Sequence, residues 1–442
     1  MGNKENKWQP IFEDKEGAKI LAVVEEIARA LHKPPAAWIP REKIAVEPFR
    51  IARGASLAHG SSGIALFYAY LSQLLIPDTH YLNEVDRFID HACDALEEVP
   101  MENGLYRGFS GVAWAIQHLH SFFYENESSN PGTDPNINID RFLIDHCSKQ
   151  IKFDLWDGCA GLGIYALERY PHGNAKILLE IIVRQLDRLA IHSNKGITWF
   201  TSAAIIPPQV RVFYPNGYYA LGIAHGIAGV ISFLSRVYAL GILPDITKSL
   251  LTGAISWLLS QEYENDFGLL FPQILLPPEN KPLITGTFGW CHGDLGLAAA
   301  LATAAGCANE PSWKTKGIEA AHAAIDYLDN LLHTMAFSDV TLCHGTAGLG
   351  HLFNRLYQDN KIDRFKKEAL KWFRHTLDLR KLGKGIAGFS KYSMTEDGEQ
   401  AEQYDPGFIQ GAAGIGLAFL GAVTNIEPGW DRVMSISAPE CI

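Results

Sequence analysis

The sequence predicts an all-α fold, an α/α toroid of seven helical hairpins with short strand-like or loop insertions on one rim. Three observations predict it. A Gly-x-x-Gly frame occurs seven times, its first glycines being Gly60, Gly108, Gly158, Gly226, Gly293, Gly345 and Gly411. Each frame leads into an apolar stretch of helical character, such as VAWAIQHL, LAAALATAA or IGLAFLGAV. Between frames lie helices with one apolar and one charged face. A helix that is apolar all round belongs inside and an amphipathic one outside. Neither end copy is polar enough to cap an open stack, so seven pairs close into a ring.

The elements follow in order. Residues 17–31 (GAKILAVVEEIARAL) carry apolar positions at helical spacing, and Pro34-Pro35 ends that helix. The first frame follows at His59-Gly60. Charged amphipathic segments occupy 82–99, 175–192, 246–263, 316–332 and 363–379, each followed by a further frame. Three intervals are longer than the rest and hold extra material at 196–215, 267–283 and 386–406. These insertions are proline-rich, aromatic or β-branched, which predicts short strands or long loops overhanging the rim. The expected organisation is one domain over 1–442, with the repeats spanning about 50–425. The frame glycines should allow close backbone approach and positive φ. Seven inner-helix N-termini would then point at one mouth and favour anions, thiolates included.

Composition bounds the chemistry. With 47% apolar and 20% charged residues, the chain has the balance of a globular protein with a large core. A net charge of −11 argues against nucleic-acid binding. Seven cysteines with no C-x-x-C pair make a disulfide framework a poor fit and a reducing cytoplasm a good one. The opening MGNKENKWQP lacks the apolar core of a signal peptide, and no uncharged apolar run is long enough to span a membrane.

Two frames carry a thiol. Trp290-Cys291-His292-Gly293 and Leu342-Cys343-His344-Gly345 place cysteine at the same position of two repeats. Zinc takes Cys and His ligands, and a catalytic site keeps three protein ligands and one open position. Cys291, Cys343 and His344 could supply the three. Neighbouring residues such as Cys343 and His344 can reach one ion only from a turn, because i and i+1 do not share a helical face. His292 could be a fourth ligand, which would close the site and make the metal structural. Cys159 and Cys307 read as small buried hydrophobes. His225 and His59 occupy the same turn position in other repeats, where either could act as acid or base or be a satisfied core residue. Asp154 and Asp157 could orient such a histidine or simply cap a helix. Arg107 reads equally well as a solvated rim charge. Trp156, Tyr214, Tyr218, Tyr219 and Trp290 could line a peptide groove or pack the core.

The seven frames, the Trp-Cys-x-Gly at 290–293, the later Cys-His-Gly, the Ala-His-Gly at 224–226 and the Asp-x-x-Asp-Gly at 154–158 together resemble the lanthipeptide cyclases of the LanC-like family. The resemblance covers about 50–425. It implies an α/α toroid with one catalytic Zn2+ held by Cys291, Cys343 and His344. It implies His225 as the acid/base histidine and Asp154, not Asp157, as the essential aspartate. The implied reaction is Michael-type addition of a peptide thiol to dehydroalanine or dehydrobutyrine, giving a (methyl)lanthionine ring. The implied partners are a dehydrated precursor peptide and, beyond it, a dehydratase and an exporter, with the chain cytoplasmic or peripheral to a membrane-bound complex. The chain departs from the family pattern at Thr287, where an arginine is expected, at His292 in place of tyrosine, and at Gln410 in place of glutamate. Three alternatives stay open: glutathione addition to dehydroamino acids, a toroid glycosidase built on paired carboxylates, and a non-catalytic peptide scaffold with structural zinc.

Overall fold

The computed structural model describes residues 8–32, 47–74, 79–123, 134–285, 288–334, 338–394 and 400–437. Pro34-Pro35 falls outside them. Seven helices follow the glycine frames: α1 (Ser61–Ser72), α2 (Phe109–Phe123), α3 (Cys159–Arg169), α4 (Ile227–Ala239), α5 (Asp294–Ala308), α6 (Thr346–Asn360) and α7 (Ala412–Val423). Their apolar character has the expected outcome. Every residue from Ser61 to Leu71, from Ile227 to Val237 and from Ala412 to Ala422 is buried. The helices between them bury one stripe only. In Asp14–Leu31 that stripe is Gly17, Ile20, Val23, Val24, Ile27, Ala28 and Leu31, at the three- and four-residue spacing of a single face. Asp14 and Glu16 in its first turn and Arg29 in its last complement the helix dipole, which explains a start three residues before Gly17.

The chain divides into two compact units. The first comprises Met1–Phe123 and Ala336–Trp430. In it the buried helices pack in the order α6, α7, α1, α2. Each of α1 and α6 packs most extensively on the amphipathic helix that follows it, Thr79–Glu98 and Asp363–Asp378 respectively. The sequence reading had paired each buried helix with the amphipathic helix before it. The structure favours the following one, because a short connection brings successive helices together as an antiparallel hairpin. That rule leaves α7 without a successor, and the first helix of the chain, Asp14–Leu31, takes the place. Trp8 Nε1 donates to Gly421 O at 2.8 Å and Ile11 N donates to Ala422 O at 2.9 Å, stapling the N-terminal segment to the end of α7.

The second unit comprises Tyr124–Met335 and Asp431–Ile442. Here α4 packs between α3 and α5, and α3, α4 and α5 pair with Ala175–Leu189, Pro244–Leu259 and Pro311–Thr334. Residues 431–437 seal this unit from within. Met434 O accepts from Trp290 Nε1 at 2.7 Å, and Ser435 O accepts from Ser232 Oγ at 2.6 Å. A buried Asp140 accepts from Tyr165 Oη at 2.6 Å and from Arg169 Nη2 at 2.7 Å, so the charges are paired.

The insertions hold short strands as expected, although one sheet also takes in Tyr219–Ala220, which lies beyond 196–215. Tyr219–Ala220, Ile274–Leu276 and Lys281–Leu283 form one antiparallel sheet, and Lys391–Met394 pairs with Gln400–Gln403. In 196–215 only Gly196–Thr198 is strand. Ser202 caps a 3-10 turn, and Pro207-Pro208 starts a short helix ending at Arg211.

The frame glycines differ from expectation in one respect. Gly60, Gly158, Gly226, Gly345 and Gly411 all have negative φ, which any residue can adopt; of the frame glycines only Gly293 is positive, at φ +96°. Space is the reason for glycine. A Cβ on Gly111 would lie 1.8 Å from Leu105 O, and one on Gly414 would lie 1.8 Å from Phe408 O. At Gly63, Gly111, Gly229, Gly296, Gly348 and Gly414 alike the chain leaves the turn back-to-back with the carbonyl six residues earlier.

Candidate metal centre and its rim

Main-chain hydrogen bonds tie successive turns together at one position, two residues before the first frame glycine. In the first unit Cys343 N donates to Ile409 O at 3.0 Å, Ile409 N to Ala58 O at 3.0 Å, and Ala58 N to Tyr106 O at 2.9 Å. In the second, Trp156 N donates to Ala224 O at 3.1 Å. Cys343 and Cys291 both sit on this position. The turns therefore follow one another in register, and equivalent side chains emerge at equivalent places. Gly222 is squeezed against the second cysteine: a Cβ there would lie 2.0 Å from Cys291 O. Gly222→Ala is expected to displace the Cys291 turn and to destabilise the protein by about 1–3 kcal/mol in urea unfolding. An unchanged unfolding midpoint would refute the close approach.

Cys291 and Cys343 are each 5% exposed, and His344 is half-buried. Cys343 and His344 stand in the first unit and Cys291 in the second, and between them they offer two sulfurs and one ring nitrogen. The group comprises these three residues; His292 is not one of them. Two thiols and an imidazole are the donor set zinc prefers, and three donors leave a fourth position. His344 Nε2 lies 3.2 Å from Asp339 Oδ2, and Asp339 Oδ1 accepts from Thr341 N at 2.7 Å. Burial alone would push the Asp339 carboxyl up. The His344 hydrogen bond and charge, with the Thr341 amide, outweigh that and leave it below the usual carboxylate range.

In the second unit His225 and Asp154 meet, Nδ1 to Oδ2 at 3.2 Å, with side chains 40% and 17% exposed. Asp154 Oδ1 also accepts from Asp157 N at 2.9 Å, which holds its carboxylate still. Burial disfavours the imidazolium. The hydrogen bond and charge of Asp154 outweigh it, with the charges of Cys291 and Asp157 adding, and the His225 pKa is raised. Trp156 packs 5.6 Å from the His225 ring and 6.4 Å from Trp290, the neighbour of Cys291.

Other candidates separate from these. Asp157 pairs with Lys152, Oδ2 to Nζ at 3.4 Å, and acts on His225 through its charge alone. His59 is buried against Asp405, Nδ1 to Oδ2 at 2.9 Å, and Lys391 Nζ approaches the same oxygen at 3.3 Å. Burial lowers the His59 pKa, although Asp405 opposes it. Asp294 is tied to the 267–283 insertion, accepting from Leu270 N at 2.6 Å and Phe271 N at 3.2 Å. Burial pushes its carboxyl up to about 7 despite those amides. Thr287 lies outside the described residues. Sequence reasoning missed Asp339 and Asp405; the available signal was that both stand six residues before a frame glycine.

The chain is similar to known proteins in family, sequence and structure. The lanthionine synthetase C-like protein family matches residues 52–435. The nisin biosynthesis protein NisC of Lactococcus lactis subsp. lactis is 25% identical over 373 residues, 79% of this chain and 85% of that protein. The structure of nisin cyclase superposes with a TM-score of 0.70 at 18% identity, covering 96% of this chain and 98% of the other. That similarity bears out the all-α, α/α-toroid fold read from the repeats.

Proposed function

The chain belongs to the lanthionine synthetase C-like family, and from that membership we propose that it is a zinc-dependent cyclase forming thioether rings in a dehydrated precursor peptide. The observation that carries the reading is that Cys291 and Cys343 occupy the same buried position of two repeats, with His344 beside the second and held by Asp339. Those three residues would hold the metal, and a three-donor set leaves a position for a substrate thiol. Zinc bound there supplies Lewis acidity that keeps a substrate cysteine ionised near neutral pH.

The chain's own residues do the rest. The substrate thiolate forms a C–S bond to the β-carbon of a dehydroalanine or dehydrobutyrine, and the π pair of the alkene moves toward the carbonyl as an enolate. The enolate takes one proton at the α-carbon, so an S–H adds across the double bond and nothing leaves. In this reading His225 delivers that proton. Asp154 engages its Nδ1, fixes the ring orientation and favours the protonated form, leaving Nε2 to face the substrate. Trp156, packed 5.6 Å from the His225 ring, offers apolar surface beside that histidine. The dehydroamino acids must be made by a dehydratase acting first, and an exporter would take the product.

Metal removal tests the proposal. Protein stripped with a chelator is expected to stop closing rings, and one equivalent of zinc is expected to restore it. Ring closure does not change peptide mass, so the readout is loss of alkylatable thiols. Full activity after complete zinc removal would overturn the zinc role. Modification of a cysteine-free dehydrated peptide by added glutathione, with no ring closure in a cysteine-containing one, would overturn the cyclase role.

A further inference from the structure

We propose that Asp339 is the positioning residue of the metal centre, selecting the tautomer of His344 that can bind metal. The inference rests on the zinc reading above. Asp339 Oδ2 lies 3.2 Å from His344 Nε2. A carboxylate only accepts hydrogen bonds, so it draws the ring proton to Nε2 and leaves the lone pair on Nδ1. Nδ1 is then the nitrogen whose lone pair can ligate, and a ligating imidazole held by a carboxylate is oriented and made more basic. The carboxylate is itself fixed: Oδ1 accepts from Thr341 N at 2.7 Å.

The position recurs. Asp405 also stands six residues before its frame glycine. Its Oδ1 accepts from Gly407 N at 2.9 Å, and its Oδ2 meets His59 Nδ1 at 2.9 Å. Gly54, Glu102, Lys152, Ala220 and Thr287 fill the slot in the other repeats. The fold therefore offers one place per repeat from which a short carboxylate, held by the amide two residues on, can reach a rim imidazole. In the sixth repeat that imidazole is His344.

Asp339→Asn separates positioning from folding. Asparagine keeps one oxygen for Thr341 N and turns its NH2 toward Nε2. A donor there favours the tautomer protonated on Nδ1, which has no lone pair to give. Zinc affinity is measured by competition with a chromophoric chelator for wild type, Asp339→Asn, Asp339→Glu and Cys343→Ala. The expected result is one zinc for wild type, an affinity about 10–100-fold weaker for Asp339→Asn, and partial recovery in Asp339→Glu. Metal-free wild type and Asp339→Asn are expected to unfold at the same temperature. Equal zinc affinity in the two would overturn the positioning role and leave the zinc reading intact. A lower metal-free unfolding temperature for Asp339→Asn would make the residue structural and also overturn the proposal. Wild type without zinc would overturn the metal reading itself.

Discussion

Cys343→Ala is expected to purify without stoichiometric zinc and to close no rings. Structural zinc in small peptides is worth about 10–16 kcal/mol over four ligands, so one ligand is worth roughly 3 kcal/mol, or on the order of a hundredfold in affinity. The variant should still fold. The main-chain bond from residue 343 to Ile409 O does not need the side chain, and alanine fits where a thiol was 5% exposed. Metal analysis beside a circular-dichroism melt separates loss of the site from loss of the fold. Retained stoichiometric zinc in a folded variant would remove Cys343 from the ligand set.

The second large effect belongs to His225. His225→Gln is expected to keep its zinc and to lose about 10²–10⁴-fold in ring-closure rate, the usual contribution of a positioned acid or base. Its pH dependence has a definite sign. The proton donor is the imidazolium, so the rate falls as pH rises through the His225 pKa. That pKa is raised, chiefly by the Asp154 hydrogen bond working against burial. The falling limb of wild type should therefore lie above the ordinary histidine range. Asp154→Asn removes the raising influence and should move the limb to lower pH. A limb unmoved by Asp154→Asn would mean that another group supplies the proton.

The fold was legible because its repeat is written in residues with few substitutes. Most frame glycines face a backbone carbonyl or amide too close for a Cβ, and Gly293 instead holds a positive φ against the Phe288 ring. The buried helices announced themselves by lacking a polar face. The pairing of helices was not legible, since an amphipathic helix shows which face is covered but not by which neighbour. At the centre, Cys291 and Cys343 stood out because they share one frame position. The residues alone allowed Asp154 or Asp157 to orient a rim histidine, and the choice of His225 and Asp154 came from resemblance, since 71 residues separate them. Asp339 was invisible for a related reason. A solvated loop aspartate and one that holds a rim histidine read the same, and only the 3.2 Å approach to His344 distinguishes them.

The pairing of the first helix with the last buried one has a consequence for biosynthesis. Asp14–Leu31 leaves the ribosome with a stripe of isoleucine, valine and leucine meant for α7. At 5–20 residues per second, that partner follows roughly 20–80 s later. The stripe must therefore stay unpaired while nearly the whole chain is made, a window in which a chaperone or a neighbouring nascent chain can capture it. A copy with its first helix moved behind α7 by circular permutation would shorten that wait to a few seconds, and should give more soluble protein per chain made.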